Sequence, residues 1–222
     1  MKIEVLKDIS SANDAIAASN REILDKNGVF TINLMSSPGA GKTSFILGTI
    51  SRLRDNLKFA VIEGDVASKI DADKISEQGI PVLQINIGGN CSLEAHMISS
   101  ALPKMTLNGI DVMFIENVGN LICPAEFPLG EHKKVVLSSI PEGHDKPAKY
   151  PLMFTEADIL LVNKVDLVPH FDFDMDSFRT SVRGLNPDIS IFEISCKTGD
   201  GMDTWCSWLS DEVTKYKTGK SK

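Results

Sequence analysis

The sequence predicts an α/β fold in which a mainly parallel sheet of about seven strands is covered by helices on both faces. Apolar, β-rich runs alternate with helical stretches along most of the chain, and strands that alternate with helices need crossover connections. Residues 112–115 and 159–162 are continuously apolar, which is typical of strands buried on both faces. Ligands bind such sheets at the carboxyl ends of the strands, so one edge should carry the functional motifs.

The elements follow in a regular order along the 222 residues. A polar helical pattern covers 6–27 and ends at Gly28, so residues 1–28 are expected to be a helical extension packed on a single domain, 1–222. Strands are expected at 29–35, 58–64, 81–87, 110–116, 133–139, 158–163 and 189–195. The other helices are expected at 42–55, 67–78, 92–104, 173–184 and 202–215.

Net charge and hydropathy indicate which kinds of partner and which cellular compartment to expect. The net charge of −7 argues against an extended nucleic-acid-binding surface. No apolar run is long enough for a membrane span, so we expect no membrane partner. The N-terminus lacks the apolar centre of a signal peptide. We therefore expect a cytoplasmic protein, whose cysteines are thiols or metal ligands rather than disulfides. The four cysteines are Cys91, Cys123, Cys196 and Cys206.

Residues 36–43 read SSPGAGKT between a predicted strand and a predicted helix, which indicates a phosphate-binding loop (P-loop). Lys42 is expected to reach the β- and γ-phosphates and the Thr43 hydroxyl to ligate Mg²⁺. Backbone groups complete the expected contacts with nucleotide, from Ser37, Gly39, Ala40, Gly41 and Ser44. Ser36 stands where the usual pattern has its first glycine. The alternative is an ordinary glycine-rich turn.

A second motif predicts that the base is guanine. Asn163, Lys164 and Asp166 form the N-K-x-D pattern after an apolar strand, and the Asp166 carboxylate can accept from guanine N1–H and the 2-amino group. Adenine would leave that carboxylate unpaired, which makes the selection strong. Farther along, Ser195, Cys196 and Lys197 resemble the S-A-K loop that contacts the base in GTPases.

Two acidic residues at strand ends are candidates for the magnesium side of the site. Glu116 lies where many GTPases have the Asp of D-x-x-G, and the Gly119 N–H is then expected at the γ-phosphate. Asp65 is expected either to help hold Mg²⁺ or to orient the attacking water. The alternatives are a solvated carboxylate for Asp65 and a helix cap for Glu116. Asn120 replaces a water-positioning Gln, so slow intrinsic hydrolysis is expected.

The chain also resembles a known family. The segments VIEGDV at 61–66, CSLEAH at 91–96, IENVGNLICPA at 115–125 and EGHDKP at 142–147 are similar to the HypB family of hydrogenase-maturation GTPases. The similarity runs from about residue 10 to about residue 210, with the motifs in order. It implies hydrolysis of GTP, dimerisation on nucleotide binding, and delivery of nickel to the hydrogenase large subunit. A small nickel-binding partner, HypA, is implied as well.

The resemblance further implies a Ni²⁺ or Zn²⁺ site at the dimer interface. Cys91 and Cys123 match the family's two cysteine ligands, and His96 matches the second histidine of the family pattern and is a further candidate ligand. Ser92 stands where that pattern has its first histidine, so one expected ligand is missing. Thiolate and imidazole suit both metals. Lys146 matches a loop that approaches nucleotide across the dimer and is expected to offset charge on the transferred phosphoryl group, unless it is a solvated lysine. The remaining histidines, His132 and His144, are expected at the surface.

Two other functions stay open. Ser92 favours a related GTPase that serves urease or a client without nickel. Asn120 favours a nucleotide-gated scaffold with little hydrolysis.

Overall fold

The computed structural model describes residues 9–65 and 70–219, and within them the strands form one seven-stranded sheet. The strand order is β3-β2-β4-β1-β5-β6-β7, and every neighbouring pair is parallel. The strands are β1 Phe30–Ser36, β2 Phe59–Asp65, β3 Val82–Asn86, β4 Val112–Gly119, β5 Lys133–Ser139, β6 Ile159–Asn163 and β7 Ser190–Glu193. The predicted α/β class and parallel sheet are confirmed.

The helices lie mostly where the sequence predicts them. They are α1 Ile9–Lys26, α2 Lys42–Leu53, α3 Ile70–Ser76, α4 Ala95–Ala101, α5 Cys123–Glu126, α6 Lys146–Lys149, α7 Pro151–Glu156, α8 Met175–Leu185 and α9 Met202–Lys217. Short 3₁₀ turns cover Leu102–Lys104, Ile140–Glu142 and Val165–His170. Residues 1–8 of the predicted extension, 67–69 of the predicted third helix and the terminal 220–222 lie outside the described residues.

The sheet is covered on both faces, as its apolar strands require. Alternate side chains of β4 enter different cores, because successive residues of a strand point to opposite faces. Phe114 packs with residues of α2 and α9, whereas Met113 and Ile115 pack with residues of α1 and α4. Among the residues that the structure describes, no helix combines the length and apolarity needed to cross a bilayer.

His132 is not at the surface, and this corrects the sequence expectation. Its side chain is only 7% exposed and packs against Phe30 and Tyr216 at the start of β5. The Thr31 N–H donates to Nδ1 at 2.9 Å, and Nε2 lies 2.8 Å from Asp25 Oδ1. The ring therefore ties α1 to the sheet. Its bonding partners are distant in sequence, which is why the pattern around residue 132 gave no sign of burial.

Candidate nucleotide and thiol site

Two cavities open at the carboxyl-terminal edge of the sheet. The phosphate-side cavity has a volume of about 470 Å³, and the base-side cavity about 270 Å³. The first is lined by Pro38, Lys42, Glu63, Gly64, Asp65, Ile87, Asn90, Cys91, Glu116, Asn117, Val118, Gly119 and Asn120. The second is lined by Gly41, Ser44, Asn163, Lys164, Asp166, Leu167, Cys196 and Lys197. The predicted motifs thus meet at one edge, as a parallel sheet requires.

The predicted P-loop connects β1 to α2, and the loop after β6 braces it. Gly41 has a φ of 107°, and a Cβ there would lie 2.7 Å from Asn163 Nδ2, so glycine is required on both counts. Asn163 Nδ2 donates to Ala40 O at 2.9 Å, and Lys164 Nζ donates to Gly39 O at 2.7 Å. The two first residues of N-K-x-D therefore hold the loop that is expected to bind phosphate.

Ser36 takes part in the loop rather than disrupting it. Its hydroxyl accepts a hydrogen bond from Lys42 Nζ at 3.0 Å and donates to Ser37 O at 2.6 Å. The side chain is buried at the end of β1. The serine thus anchors the lysine ammonium next to the phosphate-side cavity, which Lys42 also lines.

Glu142 contacts the P-loop, which the sequence motifs did not indicate. Its carboxylate accepts hydrogen bonds from the hydroxyl groups of Ser37 and Ser139, the latter at 2.7 Å. Glu142 ends the 3₁₀ turn after β5, and Ser37 is 105 residues away in sequence. A carboxylate therefore sits directly on the P-loop. Only the spatial neighbourhood of β1 and β5 reveals it.

The magnesium side is built from oxygen donors. Thr43 Oγ1 donates to Glu116 Oε1 at 3.0 Å, and Asp65 lines the same cavity. Glu63 lies opposite Glu116 across the β2–β4 pairing, and both are buried. Hydroxyl and carboxylate oxygens are the ligands that Mg²⁺ prefers, and neighbouring buried carboxylates favour a cation. The residues present therefore fit Mg²⁺.

Gly119 ends β4 in close contact with the P-loop. A Cβ on Gly119 would lie 2.8 Å from the backbone nitrogen and Cα of Pro38. Backbone atoms cannot move aside as a flexible side chain can, so only glycine fits here. Any displacement of the P-loop at Pro38 therefore reaches the end of β4 directly.

The base side is organised around Asp166. Ser195 Oγ donates to Asp166 Oδ1 at 2.6 Å and accepts from Thr198 N–H at 3.1 Å. The Cys196 N–H donates to Asn163 Oδ1 at 3.2 Å. Burial raises the pKa of the Cys196 thiol to about 11, so the thiol is neutral at physiological pH. It therefore lines the base-side cavity rather than acting as a metal ligand. The two predicted base motifs thus form one hydrogen-bonded unit.

The structure brings Cys91 and Cys123 together. The interaction with Cys91 and partial burial raise the pKa of the Cys123 thiol, whereas Asn120 lowers it, so the two thiols lie close enough to influence each other. Cys91 is exposed in the bend before α4, and Cys123 is the first residue of α5. Two soft sulfur donors thus lie next to the phosphate-side cavity, which Cys91 lines.

The other candidate residues do not complete a metal-binding group with this pair among the described residues. His96 Nδ1 is 3.3 Å from Glu94 Oε2, and Ser92 is buried, with 2% exposure. Lys146 begins α6 with its Nζ 5.5 Å from the centre of the Tyr150 ring, outside the lining of both cavities. Within residues 9–65 and 70–219, no three or more His, Cys, Asp or Glu side chains form a metal-binding group.

The fold and the braced loop define a P-loop nucleotide-binding protein. Residues 30–193 match the family described as "CobW/HypB/UreG, nucleotide-binding domain". A hydrogenase maturation factor HypB from Rhizobium leguminosarum bv. viciae is 47% identical over 207 residues, which are 93% of this chain and 69% of that protein. The chain therefore belongs to the HypB branch of the CobW/HypB/UreG family, which confirms the resemblance drawn from the motifs.

Solved structures agree with this assignment. A crystal structure of HypB from Archaeoglobus fulgidus superposes with a TM-score of 0.86 at 38% identity, over 91% of this chain and 99% of that one. HypB from Helicobacter pylori in complex with nickel gives a TM-score of 0.86 at 36% identity, over 95% and 98% of the two chains.

Proposed function

We propose that this chain hydrolyses GTP and handles nickel during the maturation of [NiFe]-hydrogenase, with metal binding coupled to GTP-dependent dimerisation. One observation carries the coupling: the phosphate-side cavity is lined by the candidate nucleotide residues Lys42, Asp65 and Glu116 and also by Cys91. A change in the occupant of that cavity acts on the thiol loop without a relay over distance.

The proposed division of labour follows the chemistry of the lining groups. Backbone N–H groups of the P-loop and Lys42 bind the phosphates, and Asp166 selects guanine over adenine. Mg²⁺, held through Thr43 and Glu116, offsets the negative charge of the phosphates when it is bound with the nucleotide. Asp65 either joins that ligand set or orients the attacking water.

Lys146 has a proposed role across a dimer. Its place outside both cavities of its own chain is consistent with a cation supplied to the nucleotide of a second copy. Hydrolysis by an isolated chain is then slow and rises with protein concentration. Replacing Lys146 with Ala would remove the concentration dependence but leave nucleotide affinity intact.

Nickel is the proposed cargo of the protein. Cys91 and Cys123 provide two thiolates per chain, which suit Ni²⁺ or Zn²⁺, and His96 remains a candidate third ligand. The nickel complex of the related Helicobacter pylori protein supports this assignment. The proposed partners are a second copy of the chain, the small nickel-binding protein HypA and the hydrogenase large subunit, all in the cytoplasm.

Measuring Ni²⁺ affinity in the presence of GDP and of a non-hydrolysable GTP analogue tests the proposal. The Ni²⁺ affinity should differ between the GDP form and the GTP-analogue form, and so should the number of metal ions bound per chain. Phosphate release should require GTP and fail with ATP. Equal nickel affinities in both nucleotide states would refute the coupling, and equal use of ATP would refute the role of Asp166.

A second candidate is the same activity directed to another metalloenzyme, such as urease. It is favoured by Ser92, which is buried where the family pattern has a histidine, so any histidine ligand must come from elsewhere. Nickel transfer to apo-hydrogenase large subunit and to apo-urease, measured side by side with the same loaded protein, distinguishes the two.

A further inference from the structure

One side chain, Asn120, joins the loop that carries Cys91 to the turn that carries Cys123. Its Nδ2 donates to Cys91 O at 2.9 Å, and its Oδ1 accepts from the Ile122 N–H at 2.9 Å. A single amide therefore fixes the backbone on both sides of the thiol pair, across 29 residues of sequence.

The strand end that carries Asn120 also contacts the candidate nucleotide site. Glu116 accepts from the Thr43 hydroxyl, and Gly119 packs against the backbone of Pro38. Between them, Asn117 Oδ1 accepts from the Leu93 N–H at 3.1 Å. Residues 116–120 thus alternate between contacts with the P-loop and contacts with the loop that bears Cys91.

Burial makes this connection stiff. Asn117 is 1% exposed, and its Nδ2 donates to Asn33 Oδ1 at 3.2 Å in the centre of the sheet. The Leu93 side chain packs so closely on Gly64 that a Cβ there would lie 2.7 Å from Leu93 Cγ. Buried amides are costly to separate from their partners, so the Cys91 loop follows any movement of β4.

We propose that Asn120 is a positioning residue for the Cys91–Cys123 pair and that it transmits the state of the nucleotide site to the two thiols. The positioning role rests only on the contacts above, whereas the transmission rests on the proposed function. Outer partners of this kind orient metal ligands without touching the metal, and their loss commonly weakens metal binding by roughly 10- to 100-fold. This role also explains why asparagine stands at position 120, in place of a water-positioning Gln.

Dibromobimane, which becomes fluorescent when it bridges two nearby thiols, tests the positioning role without metal or nucleotide. Asn120→Ser keeps a hydroxyl that can accept from the Ile122 N–H, but it is too short to bridge to Cys91 O. Asn120→Ala removes both contacts. Asn108→Ser is the matched control, because Asn108 is exposed near the opposite end of β4, and Cys91→Ser gives the background.

We expect both Asn120 variants to cross-link about 10-fold more slowly than the wild type and the Asn108 control, with unchanged ellipticity and GDP affinity. Wild-type rates for Asn120→Ser would overturn the positioning role whatever the nickel result. Slow cross-linking by Asn120→Ala alone would assign the effect to the turn at Ile122 and overturn the bridge.

The nucleotide arm repeats the assay with GDP and with the GTP analogue, followed by Ni²⁺ titration. The wild-type rate should change between nucleotides, and that change should vanish in Asn120→Ser although the variant still binds both nucleotides. Equal wild-type rates would overturn the transmission. A wild type that cross-links rapidly but binds no nickel would refute the proposed function and leave the positioning role of Asn120 standing.

Discussion

At the residue scale, replacing Asp166 tests whether this side chain selects guanine. Its carboxylate is oriented by the Ser195 hydroxyl, so Asp166→Asn should leave the fold intact and remove the acceptor for guanine. We expect GDP affinity to fall roughly 10- to 100-fold, since a hydrogen bond to a charged group contributes about 1.5–3 kcal/mol. Calorimetric titration measures it, with exposed Asp172→Asn as control.

The same variant has a gain of function to detect. Xanthine carries a carbonyl at the position of guanine's 2-amino group, and an Asn amide can donate to it. Xanthosine diphosphate should therefore bind Asp166→Asn more tightly than GDP does. Unchanged preference for GDP would contradict the role of the carboxylate.

Glu142 is the second residue with a direct consequence for binding. Its carboxylate on Ser37 places negative charge beside the loop that is expected to receive phosphates. Glu142→Gln should tighten GDP binding about 5-fold, equivalent to about 1 kcal/mol of removed repulsion. Raising the salt concentration should shrink this gain, because screening weakens the charge in the wild type.

The control for Glu142→Gln is Glu126→Gln, which removes an equal charge from an exposed position in α5. Weaker GDP binding by Glu142→Gln would mean that the carboxylate supports the loop rather than competing with phosphate. Competition also implies that nucleotide moves the turn Ile140–Glu142, which precedes Lys146 by a few residues.

At the element scale, His132 connects α1, β1 and α9. Burial lowers its pKa from the ordinary 6.5 to about 4, and Arg21 adds to this, although Asp25 opposes it. Tyr216 also donates to Asp25 Oδ1 at 2.9 Å. The neutral ring accepts from Thr31 N–H, so protonation of Nδ1 would break that hydrogen bond.

The pH dependence of stability follows from this lowered pKa. The unfolded chain binds a proton at His132 between pH 6.5 and about pH 4 and the folded chain does not, so the stabilisation is complete above pH 6.5 and is lost as pH falls. At about pH 5 the loss should be about 2 kcal/mol. Urea unfolding at neutral and acidic pH measures it. His132→Asn should flatten the dependence, whereas exposed His170→Asn should not.

Most elements were predictable because their signal is local. A short, continuously apolar run such as β6 favours a buried strand because it is too short for a helix of usual length, and the long helix α9 has enough turns to show its periodicity. The short helices α5, α6 and α7 were missed because so few residues cannot display a helical period. In the site, the motif residues were found from spacing, but Glu142 and Asn120 act through contacts between distant segments, which spacing does not encode.

At the scale of the whole molecule, α1 is bonded to the sheet through buried polar groups. Asn20 Nδ2 donates to Ala95 O at 2.8 Å and to Leu129 O at 3.0 Å. We propose that α1 and the sheet with its other helices unfold as one unit. Asn20→Ala should lower the free energy of unfolding by about 1–3 kcal/mol, because it leaves two buried carbonyls without that donor.

Comparing the unfolding transitions reported by two probes tests whether α1 unfolds together with the sheet. Tryptophan fluorescence, from Trp205, which is buried against α2, and its neighbour Trp208, and far-ultraviolet ellipticity should report one midpoint in both the wild type and Asn20→Ala. Asn27→Ala, at an exposed position after α1, should change the midpoint little. An earlier ellipticity transition would show instead that α1 melts separately.

The assembly sets the last expectation, the metal stoichiometry. In the described part of one chain, no three or more His, Cys, Asp or Glu side chains are gathered into a metal-binding group, and the Cys91–Cys123 pair supplies two thiols. A closed site with thiolate ligands, such as Zn²⁺ forms, usually has about four protein ligands, so two copies of the pair should share one ion. We expect one metal ion per two chains, bound as the dimer forms. Light scattering coupled to metal analysis measures this stoichiometry.

Cys123→Ser should abolish metal-induced dimerisation, whereas Cys206→Ser, at a buried thiol in α9, should not. One tightly bound metal per monomer would contradict the shared site and require a third ligand, with His96 the first to test.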